Sequence, residues 1–333
     1  MRVFVSGATG FIGGHLSRGL VAEGHRVHTV ARPSPRADAA EALGVDVRVG
    51  DLRDADVVRD AMEGCDLVHH LATVRTGATV DRLAKDPATR AGYRADVEAT
   101  RTVVDAALAC RVDHLVFASS AGVHGRLKHV PADETHALAP DTAHRKAKME
   151  GEAVVREAAQ RHGLSCVIAR PTAVYGPGDE RVGKFFRMIS EGEFRLLGPG
   201  SHPYHLSYVD DVVNALRLCE EWRGPSGSAF LVGSEEIHTL ATFFQTIAEV
   251  AGVRLERSPV PLVVARAAAS LSRRFLVPVG VRPDLIRDVE FFTLPRAYDV
   301  SRAREALGFR SEVGLGAGVR RTFAWIRSNP RAA

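Results

Sequence analysis

The sequence is poor in cysteine, and none of its cysteines is spaced for a metal site or a redox pair. The four residues, Cys65, Cys110, Cys166 and Cys219, lie far apart among apolar neighbours. This excludes the short cysteine motifs of structural zinc sites and thiol redox centres, and it predicts buried free thiols. Because free thiols are typical of a reducing compartment, we expect a cytoplasmic protein.

Runs of one charge and long apolar runs are also missing. Lysine and arginine together number 44 against 40 acidic residues, which gives a net charge of +4 without a basic cluster. This balance argues against a nucleic-acid partner. No uninterrupted apolar stretch is long enough to cross a bilayer, and the N-terminus lacks the pattern of a secretory signal. We therefore expect a chain with no membrane span that binds a small-molecule substrate.

The sequence does contain a regular alternation of short apolar, β-branched runs with segments of helical periodicity. The predicted strands are Arg2–Ser6, His25–Ala31, Val45–Val49, Leu67–Ala72, His114–Ser119 and Leu164–Arg170. The predicted helices are Phe11–Glu23, Ala37–Leu43, Ala55–Met62, Pro87–Arg111 and residues 141–162. This alternation predicts an α/β fold with a Rossmann-type doubly wound parallel sheet, covered by helices on both faces.

The alternation breaks after Pro171, where loops rich in glycine and proline begin. A chain of 333 residues is also long for a single hydrophobic core. We therefore predict a dinucleotide-binding Rossmann domain over residues 1–171, to which a return segment near residues 206–232 also belongs. Residues 172–330 are predicted to form a smaller C-terminal lobe that binds the substrate.

A glycine-rich turn separates the first predicted strand from the first helix. Gly7 permits a tight turn, Gly10 lets the backbone approach a pyrophosphate, and Gly13 allows the helix to pack closely on the strand. The helix N-terminus then offers unpaired N–H groups to the phosphates. The residues expected to hold a dinucleotide here are Gly7, Thr9, Gly10, Phe11, Ile12 and Gly13.

The spacing of these glycines resembles that of extended short-chain dehydrogenases/reductases, the NAD-dependent epimerase/dehydratase type, and further matches run along nearly the whole chain. They include Gly50-Asp51-Leu52, His70-Leu71-Ala72, Arg170-Pro171, Tyr175-Gly176-Pro177-Gly178, Tyr208-Val209-Asp210-Asp211-Val212 and Tyr298-Asp299-Val300. The resemblance implies that the cofactor contacts Asp51, Leu52, Leu71, Ala72 and Pro171. It is nearest in character to hydroxysteroid-dehydrogenase-like and dihydroflavonol-reductase-like members, and it implies a homodimer through the helices near Pro87–Arg111 and residues 141–162.

The end of the second predicted strand bears on the choice of cofactor. NAD-selective sites usually carry an acidic residue there for the ribose 2′-hydroxyl, whereas this chain has Arg32, with Arg36 nearby. A guanidinium is able to pair with a 2′-phosphate, so we expect NADP(H), with NAD as the alternative. Asp38 lies close enough in sequence to reverse this preference.

The resemblance also implies a catalytic serine, tyrosine and lysine. Ser120 matches the serine and Lys148 the lysine, but His144 stands where the family has its tyrosine. The spacing of four residues places His144 and Lys148 on one helix face. His144 is expected to act as proton donor, or to orient the substrate while water or another group supplies the proton; the alternative is an enzyme that has lost this step.

Other residues near these motifs also depart from the family pattern. His124 replaces an aromatic residue, and Asp96 lies where the family commonly has asparagine. His124, Tyr175 and Tyr208 are expected to bind substrate, and either tyrosine is a candidate substitute phenol. Two histidines and an acid without a third matching ligand do not predict a metal site.

The C-terminal half gives weaker indications of the substrate. Tyr204 stands where nucleotide-sugar enzymes of the family carry an arginine that clamps a diphosphate. An amphipathic helix is predicted with an apolar face of Val264, Ala268, Leu271 and Phe275 opposite Arg266, Ser270 and Arg273. We expect this helix to pack on its own lobe rather than on a membrane surface.

These features favour an NADP(H)-dependent reductase or dehydrogenase for a ketone or alcohol of a largely apolar small molecule. The first alternative is a nucleotide-sugar epimerase or dehydratase that holds NAD tightly. The second is a catalytically impaired sensor or scaffold that binds NAD(P).

Overall fold

The computed structural model describes residues 1–73, 86–258, 291–292 and 294–329, together with isolated positions between residues 261 and 271. Most of the predicted amphipathic helix lies outside the described residues, including Ala268, Phe275, Arg266, Ser270 and Arg273. Of its apolar face, Val264 and Leu271 are described, and both are exposed.

Seven parallel strands form the central sheet, in the order β11-β6-β5-β4-β1-β2-β3. They are β1 (Arg2–Ser6), β2 (Arg26–Ala31), β3 (Asp46–Val49), β4 (Leu67–His70), β5 (His114–Ala118), β6 (Cys166–Pro171) and β11 (Ser228–Val232). The predicted fold class is confirmed. The predicted strand Leu67–Ala72 ends two residues early, because Leu71 and Ala72 turn out of the sheet and donate their N–H groups to the Ser6 hydroxyl.

Ten helices lie within the described residues. They are α1 (Phe11–Ala22), α2 (Pro35–Ala42), α3 (Ala55–Met62), α4 (Pro87–Ala109), α5 (Ala143–His162), α6 (Glu180–Ser190), α7 (Val209–Glu220), α8 (Leu240–Ala251), α9 (Ser301–Leu307) and α10 (Leu315–Ser328). Of these, α1, α3, α4, α5 and α7 pack on the two faces of the sheet. Successive strand residues point to opposite faces. Val3 and Val5 pack in the core on the side of α1 and α7, and Phe4 packs in the core on the side of α3, α4 and α5.

The chain after β6 builds a second group of elements from short strands and helices. The strands pair as β7 (Ala173–Tyr175) with β10 (Leu206–Tyr208), β8 (Arg195–Leu196) with β13 (Glu256–Arg257), and β9 (Pro203–Tyr204) with β12 (His238–Thr239). Phenylalanines from α6, α8 and residues 291–292, together with Phe194 before β8, pack ring against ring in this group. The return of the chain to the sheet at β11 places its carboxyl end beside β6; the domain boundary at residue 171 stays a prediction.

The order of the strands determines where a ligand binds. From β1 the chain proceeds outward through β2 and β3, and then returns to the other side of β1 to form β4, β5 and β6. In open parallel sheets the crevice for a ligand lies at the carboxyl ends of the strands, where the strand order reverses. In this protein that point lies between β1 and β4, so the loops that follow Ser6 and His70 line it.

Candidate active site

The turn after β1 has no room for side chains at its glycines. Gly7 adopts a φ of +78°, and a Cβ atom there would lie 2.9 Å from the backbone nitrogen of Ala72. A Cβ at Gly13 would lie 2.1 Å from the carbonyl oxygen of Gly7. The Gly10 N–H donates to that same carbonyl over 2.9 Å. The glycines therefore let β1, α1 and the loop after β4 approach one another closely.

This turn suits the pyrophosphate of a dinucleotide. Gly10 is exposed at the N-cap of α1, and no side chain caps the helix end. Thr9, Phe11 and Ile12 are partly buried around it. The first N–H groups of a helix carry positive charge and lack partners within the helix. The residues present therefore fit the cofactor that the glycine pattern predicts, with these backbone N–H groups holding its phosphates.

A buried hydrogen-bond chain supports the loop opposite this turn. The Ser6 hydroxyl lies 2.5 Å from Nδ1 of His70, whose Nε2 lies 3.0 Å from the Thr100 hydroxyl. Since the Ser6 oxygen already accepts the N–H groups of Leu71 and Ala72, its proton points to His70, which donates from Nε2 to Thr100. Burial, together with the charge of Lys148, lowers the pKa of His70 to about 3. His70 is thus a neutral support for the loop.

The predicted adenosine end is rich in arginine. Arg32 is exposed directly after β2, and no carboxylate ends that strand. Arg36 is in an ion pair with Glu180. Arg53 holds the carboxylate of Asp51 through two side-chain hydrogen bonds of 2.9 and 2.8 Å. These hydrogen bonds, helped by the charge of Arg32, lower the pKa of Asp51 to about 2, so Asp51 is ionised. Leu52 packs against the core beneath this region.

The three predicted catalytic residues lie on the next elements along the sheet. Ser120 follows β5 and begins a 3₁₀ turn, Ala121–His124, where its hydroxyl accepts the Gly122 N–H over 3.1 Å. Lys148 on α5 is buried and donates from Nζ to the Ala72 carbonyl over 3.4 Å. Its ammonium also lies 5.1 Å from the centre of the Phe117 ring. The lysine is therefore fixed beside the loop after β4.

His144 is fixed to the same loop, one residue further along. Its Nδ1 lies 3.0 Å from Oγ1 of Thr73, and that hydroxyl donates to a carboxylate oxygen of Asp96 over 3.2 Å. His144 lies in the first turn of α5, where the helix dipole is positive, and Asp96 lies on α4. The structure thus brings His144 and Lys148 against consecutive residues of the predicted cofactor loop.

One turn beyond Lys148, α5 carries the buried Glu152. Its carboxylate pairs with the guanidinium of Arg170 over 2.8 and 2.7 Å and accepts the Ser119 hydroxyl over 2.5 Å. Burial acts to raise the pKa of Glu152, but the hydrogen bond and charge of Arg170 outweigh it and leave the pKa below its usual value. The network ties the carboxyl ends of β5 and β6 to the helix that carries His144.

The residues predicted to bind substrate are all buried side chains. His124 is fully buried, and its ring contacts Arg170 through Nε2 and the His136 carbonyl through Nδ1. Tyr175 and Tyr208 are also buried, and their rings pack edge to face at 5.6 Å near the start of α10. Burial raises the pKa of both phenols, which makes them poorer proton donors. Their role toward substrate stays a prediction, as does that of the buried Pro171 at the end of β6.

An arginine from later in the chain lies beside Tyr204, the residue that replaces the arginine of nucleotide-sugar enzymes. Arg296 forms a backbone bridge with Tyr204, and its guanidinium carbon lies 5.8 Å from the centre of the Tyr204 ring. Tyr204 itself is buried. The sequence gives no sign that residue 296 pairs with residue 204, so sequence analysis could not place Arg296 there, and the absence of a diphosphate clamp stays a prediction.

Sequence reasoning also missed two side chains of the site. Thr73 directly follows the His70-Leu71-Ala72 motif, yet it belongs to no pattern of its own. Ser6 is the last residue of β1, and the sequence shows that it ends a strand but not that its hydroxyl bonds His70. Their partners lie far away in sequence, 71 residues from Thr73 to His144 and 64 from Ser6 to His70, so the tertiary structure was needed to reveal them.

Within the described ranges, no group of three histidine, cysteine or acidic side chains is placed to hold a metal ion. In the same part of the chain, no helix combines the length and the apolar character needed to cross a membrane. Cys65, Cys166 and Cys219 are free and buried, and Cys110 is free and half-buried.

Comparison with known proteins agrees with this geometry. The model of the NAD dependent epimerase/dehydratase family matches residues 3–233. A ketoreductase of Stigmatella aurantiaca, named for 4-hydroxy-2-methyl-3-oxo-4-farnesyl-3,4-dihydroquinoline-1-oxide, is 29% identical over 94% of this chain and 93% of its own. The 2-alkyl-3-oxoalkanoate reductase of Stenotrophomonas maltophilia is 29% identical over 96% and 98%.

Solved structures share the fold as well. A UDP-glucose 4-epimerase from Thermotoga maritima superposes with a TM-score of 0.79 and 22% identity, covering 99% of this chain and 100% of that one. At this identity the likeness extends to the fold alone.

Proposed function

Because the chain belongs to the NAD-dependent epimerase/dehydratase family, we propose that it is an NADP(H)-dependent reductase for a ketone on a largely apolar small molecule. One observation carries the proposal. His144 contacts Thr73 and Lys148 contacts Ala72, so a proton-transfer group and a buried cation adjoin consecutive residues of the loop that faces the glycine-rich turn. This is where the reacting end of a bound dinucleotide belongs.

Three side chains have separate roles in the proposed reaction. Ser120 donates a hydrogen bond to the substrate oxygen, and His144 delivers the proton that converts the developing alkoxide to an alcohol. Lys148 binds the ribose next to the reacting ring and keeps positive charge in the site. When bound, the reduced nicotinamide supplies the hydride. Holding the carbonyl in register with these groups accounts for much of the acceleration.

The preference for NADP(H) rests on charge at the end of β2. Arg32 is exposed there, and Asp51, an acidic side chain on which its charge acts, is already held by Arg53. A 2′-phosphate would therefore meet a guanidinium rather than a carboxylate. NAD(H) would lack this ion pair and bind more weakly.

The substrate class is proposed from the relatives. Two reductases that match nearly the full chain are named for ketones bearing a farnesyl or an alkyl chain. A ketone near an apolar hydrocarbon substituent is what the two names share, and we propose this chemistry for this protein.

The test is a reductase assay with NADPH and NADH on ketones that carry alkyl or prenyl chains. We expect turnover with NADPH and, for His144→Phe, loss of about 100-fold or more in kcat with unchanged NADPH affinity. His162→Phe, at the far end of the same helix, is the matched control and should retain wild-type kcat. Equal activity of His144→Phe would reject the assignment of His144.

The cofactor is tested in the same assay. Arg32→Ser should raise KM for NADPH about tenfold or more, the loss of one charge-assisted contact, and leave KM for NADH nearly unchanged. Arg161→Ser, which removes an exposed arginine elsewhere, is the control. If the protein binds neither NADPH nor NADH, the reductase proposal is refuted.

A nucleotide-sugar epimerase or dehydratase is the second candidate, and the position of Arg296 beside Tyr204 favours it. In that case the protein should purify with tightly bound NAD and act on UDP- or dTDP-sugars without net consumption of added cofactor. Arg296→Ala should then raise KM for the sugar nucleotide at least tenfold, since a diphosphate would lose its cation. Ketone reduction that is unaffected by Arg296→Ala would exclude this candidate.

A further inference from the structure

The hydrogen bonds around Thr73 determine where the protons of His144 lie. A threonine hydroxyl carries one proton, and in Thr73 that proton is donated to Asp96 over 3.2 Å. The same oxygen lies 3.0 Å from Nδ1 of His144. With its proton already engaged, Oγ1 accepts there, so Nδ1 of His144 carries the hydrogen and donates it.

We propose that Thr73 and Asp96 are positioning residues that hold His144 in its Nδ1–H form, so that Nε2 exchanges the proton with the substrate oxygen. The inference rests on the proposed reductase function. It extends that function by assigning the proton to one ring nitrogen and by giving two residues outside the Ser120, His144 and Lys148 set a part in the reaction.

The proton balance of a reduction follows from this arrangement. His144 starts as the imidazolium, with Nδ1–H bonded to Thr73 and a second proton on Nε2. The carbonyl carbon gains the hydride supplied by the reduced cofactor, the π bond to oxygen breaks, and the oxygen takes the proton from Nε2. His144 is left neutral, still donating from Nδ1, and regains its second proton from solvent. In the reverse direction Nε2 is the base.

Electrostatics explain why an acidic residue suits position 96. The charged groups near His144 on α5 are Lys148, one turn away, and Arg145, whose guanidinium is already paired with Asp141 over 2.5 Å. On α4, the Asp96 carboxylate accepts the hydrogen bond of the Thr73 hydroxyl, and the same hydroxyl contacts the His144 ring, so the negative charge of Asp96 acts on the imidazole. A nearby carboxylate stabilises the imidazolium form; in hydrolase triads it bonds the histidine directly, whereas here the Thr73 hydroxyl lies between them. An asparagine would offer the hydrogen bond without the charge.

The two departures from the family pattern, His144 in place of tyrosine and Asp96 in place of asparagine, therefore have a single explanation. A phenol at position 144 loses its proton to become an anion and needs cations nearby, which lysine supplies. An imidazole becomes a cation when protonated and needs an anion, which Asp96 supplies. His144 and Asp96 together therefore keep the charge of the site balanced.

The test combines variants with spectroscopy of the cofactor-free protein. Thr73→Val removes both hydrogen bonds, Thr73→Ser restores the hydroxyl, and Asp96→Asn removes the charge alone. Asp105→Asn makes the same change of charge at an exposed position of α4 and is the matched control. Each variant is assayed for kcat, KM and the pH profile of kcat, and nitrogen-15 NMR of the His144 ring reads which nitrogen carries the proton.

We expect Thr73→Val and Asp96→Asn to lower kcat about 10- to 100-fold, a part of the gain from general acid catalysis, with KM nearly unchanged. For ketone reduction, the alkaline limb of the pH profile of kcat should move to lower pH in both, because loss of the carboxylate or of its hydrogen bond lowers the pKa of the imidazolium that donates the proton. Thr73→Ser and Asp105→Asn should behave as wild type, and the wild-type spectrum should show a protonated Nδ1.

An Nε2–H form in the wild-type protein, or a wild-type kcat and pH profile in Thr73→Val, would overturn the proposal. The spectrum needs no substrate, so it separates two failures. A protonated Nδ1 without any ketone reduction would refute the reductase function and leave the hydrogen-bond assignment standing. If Thr73→Val does not fold, the kinetics of Asp96→Asn and the wild-type spectrum still test the proposal.

Discussion

His70 shows how a histidine can serve a site without titrating in it. The ring is buried between the Ser6 and Thr100 hydroxyls, and Lys148 lies close enough to lower its pKa further. Protonation would place a second cation beside the lysine and break the bond from Ser6. The loop that carries Leu71 and Ala72 is therefore held by a neutral ring, and its position does not change across the physiological pH range.

This neutrality makes the stability of the protein depend on pH in a defined direction. The pKa of His70 is about 3 in the folded protein against 6.5 for an unperturbed imidazole, so between these values the unfolded chain takes up a proton that the folded protein does not. The stability that the protein gains from keeping His70 neutral is therefore fully present well above pH 6.5, and it is lost progressively as the pH is lowered toward 3. At pH 5.5 the loss amounts to about 1 kcal/mol.

Urea unfolding at pH 7.5 and 5.5 measures this loss. His70→Gln keeps a donor toward Thr100 but does not titrate, so its free energy of unfolding should fall by about 1 kcal/mol less than that of the wild type over the same interval. Equal losses in the two proteins would show that His70 takes up its proton in the folded state.

At the scale of elements, one helix face carries the candidate site. His144, Lys148 and Glu152 follow one another at intervals of four residues on α5, which places them along one side of the helix. His144 and Lys148 are held by the loop after β4, and Glu152 is held by the ends of β5 and β6. The helix therefore has little freedom to shift along the sheet.

The packing of α1 on β1 leads to a prediction with an internal control. Gly13→Ala would place a methyl group 2.1 Å from the Gly7 carbonyl, which forces the helix off the turn and costs about 1–3 kcal/mol of stability. Gly19→Ala, on the same helix, meets nothing within 4 Å and should stabilise by about 0.5–1 kcal/mol.

Thermal unfolding with and without NADPH distinguishes the two variants. Gly13→Ala should lose the shift in Tm that NADPH produces, because the N–H groups of the helix no longer meet the pyrophosphate, whereas Gly19→Ala should keep it. A normal NADPH shift in Gly13→Ala would mean that the cofactor does not bind against this turn.

The elements themselves could largely be predicted from the sequence, because their bounds follow from local patterns. Arg2–Ser6 and Ala55–Met62 have the same ends in the prediction and in the structure. The strands β7 to β10 of the second group are only two or three residues long, too short for a period to be recognised. The contact of His144 with Thr73 could not be predicted, because it depends on how α5 lies against the loop after β4.

At the scale of the whole molecule, α4 and α5 pack side by side on one face of the sheet, with Lys146 5.4 Å from the centre of the Tyr93 ring. We propose that their outer surfaces form a homodimer. Light scattering should then give a mass about twice 35.9 kDa. Ala153→Arg, at an exposed position of α5, should yield monomers, whereas Ala39→Arg, at an exposed position of α2, should not. A monomeric wild-type protein would refute the dimer.

The ion pair of Glu152 with Arg170 has a consequence for how such an enzyme diversifies. It fastens the serine-bearing and histidine-bearing segments to the same framework, and in the described part of the chain α6, α8 and α10 contribute no hydrogen bond to Glu152 or Arg170. Mutations that reshape those later elements for a new ketone leave the spacing of the reacting groups unchanged. Substrate specificity can therefore change while the positions of the reacting groups stay the same.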